Sequence, residues 1–536
     1  MWTRLALAAG GTVAGVALLV LLEVVLRLSG VTCGLERDPF AGFSNVVPMF
    51  EPAERDDGTR IFRTTAAHRD AGEEQFLREK PRGGFRVFVV GESSSAGVPY
   101  ARSEAFSSWL GRRLAAELPQ VPTEVVNAAQ SGYASRRIAA VVHELASYDP
   151  DLLVVYCGHN EYGERRFYSH LLDMDPRLFR LWEAIAGSRL FCLSRRLLGR
   201  ASKPAGKPAF EFSNFDNATE MFSVQNRRLR GERASEREVA FEELHYRHNL
   251  EDMARTMTSA GARTMFVSLS QNFSDWAPAA SSHRADLSAD ERAEYDRRVA
   301  EGDLRSASEP TCAGALDDWR AALALDDGVA DLHFRIAGCE RSLGRLEEAR
   351  ASYRRASDLD TVPHGAPTRW NALLADVARE SDSLFVDADA VLEEESGDRL
   401  VGDDLFTDMM HPNLRAHQRI ARAIADGLRN AGLPRPAAEW RADAYTDVAP
   451  ESVLAAQPQL RIQEHLVRAG ACLLAWRDDC ADREATAALA LDPEQPSAKK
   501  IRDGLARRRA RREREARAAA NASPSSAPAP DPSATP

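Results

Sequence analysis

Lysine is almost missing from this sequence. Of its 69 basic residues, only Lys80, Lys203, Lys207, Lys499 and Lys500 are lysines. This bias reads as genomic composition, because no arginine cluster stands apart except the C-terminal one. Positive charge is also outweighed: 80 acidic residues leave a net −11 and a sequence pI near 5.7. That argues against a nucleic-acid partner, which usually meets a basic domain. Seven cysteines in 536 residues are too few for a disulfide-built scaffold. No HExxH, paired Cys-x-x-Cys or phosphate-binding glycine loop occurs, so no metal and no cofactor is expected. Hydrophobic residues at 44% and charged residues at 28% exclude global disorder. The length calls for more than one domain, at about 100–200 residues each.

Long apolar runs are equally scarce, with one exception. Leu5 to Leu22 is 18 residues without a charge, and Val24, Val25, Leu26 and Leu28 extend it past Glu23. About 20 apolar residues span a bilayer as a helix, so residues 1–30 are expected to be a transmembrane anchor. Glu23 and Arg27 are spaced i,i+4 to pair at the interface. A cleaved signal peptide is the rival reading, though its apolar core usually runs about 7–15 residues. Gly30-Val31-Thr32 before Cys33 is a poor lipoprotein cleavage box. The charge flanks weakly place the N-terminus inside and the body outside the cytoplasm. At the other end, 506–536 is an arginine-rich stretch followed from Ser523 by a Pro/Ser/Ala tail expected to be disordered. The arginines are either a solvated helix end or a contact for anionic lipid or acidic polymer.

Between the ends, short β-branched runs alternate with helical patterns. Strands are expected at 85–90, 124–127, 151–156, 264–269 and 384–386, with helices at 103–118, 135–148, 244–260, 371–379 and 414–428. Such alternation means a parallel sheet covered on both faces, with ligands beyond the carboxyl ends of its strands. Residues 31–84 read as a linker and entry segment. The sheet domain would occupy 85–288, with a helical excursion at 162–240, and resume at 363–432.

The interruption at 289–362 has its own period. Ala315, Trp319, Ala322, Leu325 and Asp326 return 34 residues later as Ala349, Tyr353, Ala356, Leu359 and Asp360. Small residues where helices cross, an aromatic four residues on and this period resemble tetratricopeptide repeats. Ala337 and Gly344 fit the second copy. A third copy lies in 450–505, with Ala469, Ala481, Ala488 and Leu491-Asp492-Pro493 in register. Units this few must bury a face on a neighbour. They are either a helical buttress or a groove for a protein partner. Cys312 with Cys339 and Cys472 with Cys480 lie on repeat helices that could face each other, as oxidised pairs or as buried small hydrophobes.

Four blocks carry chemistry. Gly91-Glu92-Ser93-Ser94-Ser95 follows the first strand, where a tight turn exposes a serine hydroxyl. Asn127-Ala128-Ala129-Gln130-Ser131-Gly132 follows the second, and Gly158-His159-Asn160-Glu161 the third. Asp408-Met409-Met410-His411 precedes the last helix. Together they resemble the SGNH, or GDSL-type, serine hydrolases, whose blocks supply Ser93, Gly132, Asn160 and the Asp408–His411 pair. The resemblance covers about 85–428, apart from the repeats and the stretch after Glu161. It implies a flavodoxin-like three-layer α/β fold and an esterase working through an acyl-serine intermediate.

The resemblance also implies roles. Ser93 would be the nucleophile, His411 its base and Asp408 the group that orients the imidazole. The oxyanion hole would be the N–H groups of Ser93 and Gly132 with the Asn160 amide. Glu92, Ser94, Glu161 and Ala416 depart from the family pattern without removing a reacting group. His159, Glu161 and Asn272 are candidates to line the substrate pocket. His245 and His248, without a third ligand nearby, read as surface residues. The expected substrate is an acyl ester, with a cell-envelope glycan as one form of it. An O-acyltransferase with the same site, and a repeat scaffold with incidental catalysis, are the alternatives.

Overall fold

The computed structural model describes residues 48–162, 233–363 and 365–522, with scattered positions at 14–29 and 175–193. The first 13 residues of the expected anchor, Cys33, most of the 162–240 excursion and the tail from Ser523 lie outside the described residues. Among the described residues no helix is long and apolar enough to cross a membrane. Where residues 14–28 are described they are helical, and Leu18 to Leu22, Val24, Val25 and Leu28 are all exposed. Arg27 is not described. The Glu23 carboxylate accepts the backbone N–H groups of Arg189 and Leu190 at 3.0 and 2.9 Å.

Within the expected linker and entry segment, described from residue 48, a small antiparallel sheet forms. Strands β1 (Phe50–Glu54), β2 (Arg60–Thr64) and β3 (Gln75–Leu77) pair antiparallel. Their signal is weak because each is short and only half-buried, and the first two carry charges. Phe50 and Phe76 anchor this sheet in the core.

The main sheet is all-parallel. It is built from β4 (Phe85–Gly91), β5 (Thr123–Asn127), β6 (Leu152–Tyr156), β7 (Arg263–Val267) and β8 (Leu384–Val386), in the order β5-β4-β6-β7-β8. Every residue of β4 and β6 is buried, as strands covered on both faces require. A short helix α1 (Ser93–Ala96) follows β4. Helix α2 (Phe106–Glu117) lies against β5, and α3 (Ser135–Leu145) lies against β4 and α4 (Glu236–Ser259). The capping box of Ser235 with Glu238 starts α4 well before the periodicity suggests. His245 on α4 is buried rather than a surface residue.

Residues 289–359 form two helical hairpins: α5 (Ala289–Ser308) with α6 (Ala313–Leu325), and α7 (Ala330–Ser342) with α8 (Leu346–Leu359). Ala315, Trp319 and Ala322 on α6 have the same exposures, 0, 4 and 0%, as Ala349, Tyr353 and Ala356 on α8. Gly302 on α5 abuts the Trp319 indole, where a Cβ would lie 2.5 Å from ring atoms. Cys312 and Cys339 are joined by a disulfide. The hairpins hang from a closed neck. The Asp360 carboxylate accepts the N–H groups of Ala279, Ala280 and Val362 at 2.7, 3.0 and 2.9 Å, and the Thr361 N–H donates to the Ala280 carbonyl.

The sheet domain then closes with α9 (Arg369–Glu380), α10 (Ala388–Glu395) and α11 (Leu414–Asn430), the last packed on β8 and α2. Arg354 of α8 pairs with Asp389 and Glu393 of α10 at 2.8 and 3.1 Å, fastening the insertion to this domain. A separate compact unit follows from Glu451. It contains α12 (Pro450–Ala456), α13 (Gln459–Leu474), α14 (Asp478–Leu491) and α15 (Pro496–Ala522). Ala469, Ala481 and Ala488 are fully buried there, and Cys472 and Cys480 form a disulfide. The basic stretch belongs to α15, and Arg508 and Arg509 pair with Asp478 and Asp482 at 3.1 Å each.

Candidate active site

A β5-β4-β6 order reverses direction between β4 and β6, and a ligand crevice opens where strand order reverses. The loops after β4 and β6 carry Ser93 and Asn160. The turn after β4 is tight. A Cβ on Gly91 would run into the Tyr156 carbonyl and the Ser95 hydroxyl, so the strand can leave the sheet here only as glycine. Ser93 then opens α1, and its N–H has no acceptor within that helix. Ser95 Oγ donates to the Tyr156 carbonyl at 2.9 Å. Asn127 Nδ2 donates to the Ser95 carbonyl and Ser107 Oγ.

The four sequence blocks converge. His411 Nε2 lies 2.8 Å from Ser93 Oγ, and His411 Nδ1 lies 2.6 Å from Asp408 Oδ2. Asp408 is 1% exposed, and its Oδ1 accepts the N–H groups of Met410 and His411 at 2.9 Å each. Burial pushes the Asp408 carboxyl up. The His411 ring and these N–H groups pull harder, and its pKa falls below the ordinary value. The carboxylate is therefore charged and faces the imidazole. Ser94 Oγ donates to the Met410 carbonyl at 3.0 Å, tying the serine turn to the histidine loop.

On the oxyanion side, Gly132 takes φ +75°, the left-handed region suited to glycine. Asn160 Nδ2 donates to the Tyr133 carbonyl at 3.0 Å, which joins the second and third blocks; among the described residues its second amide hydrogen has no partner and can turn toward a ligand. Replacing Asn160 with alanine is expected to lower kcat by about 10²–10³. Steady-state hydrolysis of a p-nitrophenyl ester checks this, and a loss below about tenfold would remove Asn160 from the oxyanion hole.

The three candidate pocket residues separate. His159 is 4% exposed, and its Nδ1 accepts the Ala366 N–H at 3.0 Å. That acceptor role puts the ring proton on Nε2, which is buried and hydrogen-bonds to nothing among the described residues. Glu161 turns away from any ligand: its carboxylate accepts the Ser135 N–H at 2.7 Å and the Ser135 hydroxyl at 2.9 Å, at the N-terminus of α3. Asn272 has both ends of its amide engaged by protein, with Asp403 Oδ1 at 2.8 Å and the Asp275 N–H at 3.0 Å.

Burial, then the charge of nearby His411, pushes the pKa of both His159 and His417 down to about 3. An unfolded histidine titrates near 6.5, so between those values the unfolded chain binds more protons. Stability must then fall as pH drops from about 6.5 toward 3. Thermal melts across that window should flatten in His417→Gln, and an unchanged slope would mean His417 does not contribute.

One residue that shapes the site escaped sequence reading, and another was quoted only as part of the second block. Arg102 donates to the carbonyls of Asn127 and Ala129, pinning the second block from beneath. Burial, opposed by the charge of Glu74, brings its pKa down to about 10. No pattern in the sequence marks it. Asn127 does carry a signal: a polar residue closing an apolar strand and followed by two alanines.

Residues 89–341, a little under half of the chain, match the GDSL-like Lipase/Acylhydrolase family. The match includes Ser93, Gly132 and Asn160 and ends before Asp408. No curated protein matches the sequence. Among solved structures the chain is similar to TesA, at 14% identity and TM-score 0.27 over 64% of this chain and 98% of that one. It is also similar to Axe2, an acetylxylan esterase from Geobacillus stearothermophilus, at 13% identity and TM-score 0.29 over 65% and 94%. A third is LAE5, an alpha/beta hydrolase enzyme from the metagenome of Lake Arreo, Spain, at 11% identity and TM-score 0.26 over 64% and 95%.

Proposed function

We propose that this chain, a serine hydrolase of ester bonds similar over residues 89–341 to the GDSL-like family, removes an acyl group from an oxygen ester of a cell-envelope glycan while anchored in the membrane. One observation carries the catalytic part: the unbroken Asp408–His411–Ser93 contact at 2.6 and 2.8 Å. Ser93 Oγ attacks the ester carbonyl as its proton passes to His411 Nε2. The N–H groups of Ser93 and Gly132, with the Asn160 amide, take the oxyanion charge. His411 returns the proton to the leaving alcohol, leaving acyl-Ser93. Water, deprotonated by the same nitrogen, then releases the acid and restores Ser93. Asp408 stays ionised throughout and stabilises the imidazolium.

Placement and partners rest on other features. The uncharged run Leu5–Leu22 supports a membrane anchor. The Cys312–Cys339 and Cys472–Cys480 disulfides support a body outside the cytoplasm. The period of 34 and the matched burial of α6 and α8 support tetratricopeptide-like repeats. The Arg354 ion pairs favour a buttress over a free partner groove for the first two.

A cavity of about 170 Å³ lies beside the third block, walled by Gly158, Tyr162, Asp360, Gly365 and Trp370. Ser93, His411 and Asn160 are not among its walls, so it is not assigned to the acyl group. The test is full-length protein in detergent with an O-acetylated polysaccharide, with and without a free sugar acceptor. Acetate released to water supports the proposal. Acetyl found on the added sugar would make the chain a transferase. Neither product, from protein that reacts with a fluorophosphonate, would exclude this substrate class.

A further inference from the structure

Asp408 and His411 sit on a loop, and a loop holds a short contact only if something else holds the loop. Residues 272–275, just beyond β7, bind it repeatedly. The Asn272 N–H donates to the Met409 carbonyl at 3.0 Å, next to Asp408, and the N–H groups of Phe273 and Ser274 donate to the Val401 carbonyl. Asn272 Nδ2 meets Asp403 Oδ1 at 2.8 Å, and the Asp403 N–H returns to Asp275 Oδ2 at 3.0 Å. Asn272 is 4% exposed, so these bonds are made out of water, where a missing partner is costly.

The helical insertion reaches the same knot. Arg341, on α7, contacts Asp275 Oδ1 at 3.2 Å with one nitrogen and Asp398 at 2.7 Å with the other. Asp275 is thus shared between an arginine of the insertion and the backbone of the catalytic loop.

We propose that Asn272 is a positioning residue for the Asp408–His411 pair, acting through Asp403 and Met409, and that Arg341 lets the insertion steady the same loop. This rests on the serine-hydrolase reading above. Asn272 touches no reacting atom; it fixes where His411 Nε2 stands relative to Ser93 Oγ. A displacement of about 1 Å in such a contact costs about 10² in rate. The step governed is therefore the chemistry, and ester binding is left alone.

The experiment uses the full chain, with p-nitrophenyl acetate turnover and the rate of fluorophosphonate labelling per folded molecule. Asn272→Asp sets a second carboxylate against Asp403. It should lower kcat and labelling together by about 10–100-fold, with KM within about twofold. Exchanging the partners, Asn272→Asp with Asp403→Asn, rebuilds the bond with donor and acceptor swapped and should restore most of the rate. Arg341→Met should show the same pattern at a smaller size, as a half-exposed ion pair implies. A raised KM with unchanged kcat in Asn272→Asp would make Asn272 a pocket residue and overturn the proposal. Failure of the exchanged pair to recover, at an unchanged melting temperature, would overturn it too. Labelling that persists in Ser93→Ala would instead show that the parent reading had failed.

Discussion

Ser93→Ala is expected to lower ester hydrolysis by about 10⁴–10⁶ and to abolish fluorophosphonate labelling, with little change in melting temperature. The size follows from what is removed. Ser93 Oγ is the atom within hydrogen-bond reach of His411 Nε2, and groups acting as one unit fail together when one is lost. Orientation by the oxyanion donors would still leave about 10³–10⁴ over water. Stability should hold because the change deletes one part-buried hydroxyl whose bond contributes about 0.5–1.5 kcal/mol. Intact-mass analysis after labelling, with steady-state rates and melts, checks all three. Retained turnover above about a tenth of wild type would sink the nucleophile assignment.

Asp408→Asn should cost about 10⁴ in kcat while leaving the loop in place. Asp408 Oδ1 serves the N–H groups of Met410 and His411, and an amide oxygen can do the same. The other position changes sign. An amide nitrogen facing His411 Nδ1 donates where the carboxylate accepted, so the ring proton moves to Nε2. That nitrogen then points a hydrogen at Ser93 Oγ and cannot take its proton. The measurement is kcat/KM with the fluorophosphonate labelling rate; a loss under about tenfold in either would mean that Asp408 does not set the tautomer.

The sheet and the meeting of Ser93, Asp408 and His411 were legible because both depend on local patterns. The fully buried β4 and β6 are continuous apolar runs, and each ends on a glycine or polar block at the side where ligands bind. Asp408 and His411 needed only a spacing of three. The paired helical hairpins were legible for the same reason, since Ala315 and Ala349 stand 34 residues apart and are equally buried. What stayed hidden depends on partners distant in sequence. Glu161 looked like a pocket residue until Ser135 occupied its carboxylate. Asn272 looked the same until Asp403, far along the chain, occupied its amide. Arg102 carries no motif because its work is to bind two carbonyls of another loop. The early start of α4 was the exception: the Ser235–Glu238 capping box was written in the sequence but lay inside a stretch set aside as an excursion.

The clasp at Asp360 bears on how such a chain could arise and be edited. The backbone leaves the sheet domain at Ala280 and returns at Thr361, one hydrogen bond away. To the host fold, the intervening hairpins are a bulge on a closed ring, fastened to it a second time through Arg341 and Arg354. A segment hung this way can be acquired, lengthened or exchanged between relatives without disturbing strand order. The same neck offers a protein engineer a socket. Other hairpins could be spliced between Ala280 and Thr361, provided the graft returns arginines to the places Arg341 and Arg354 hold beside Asp275 and Asp389.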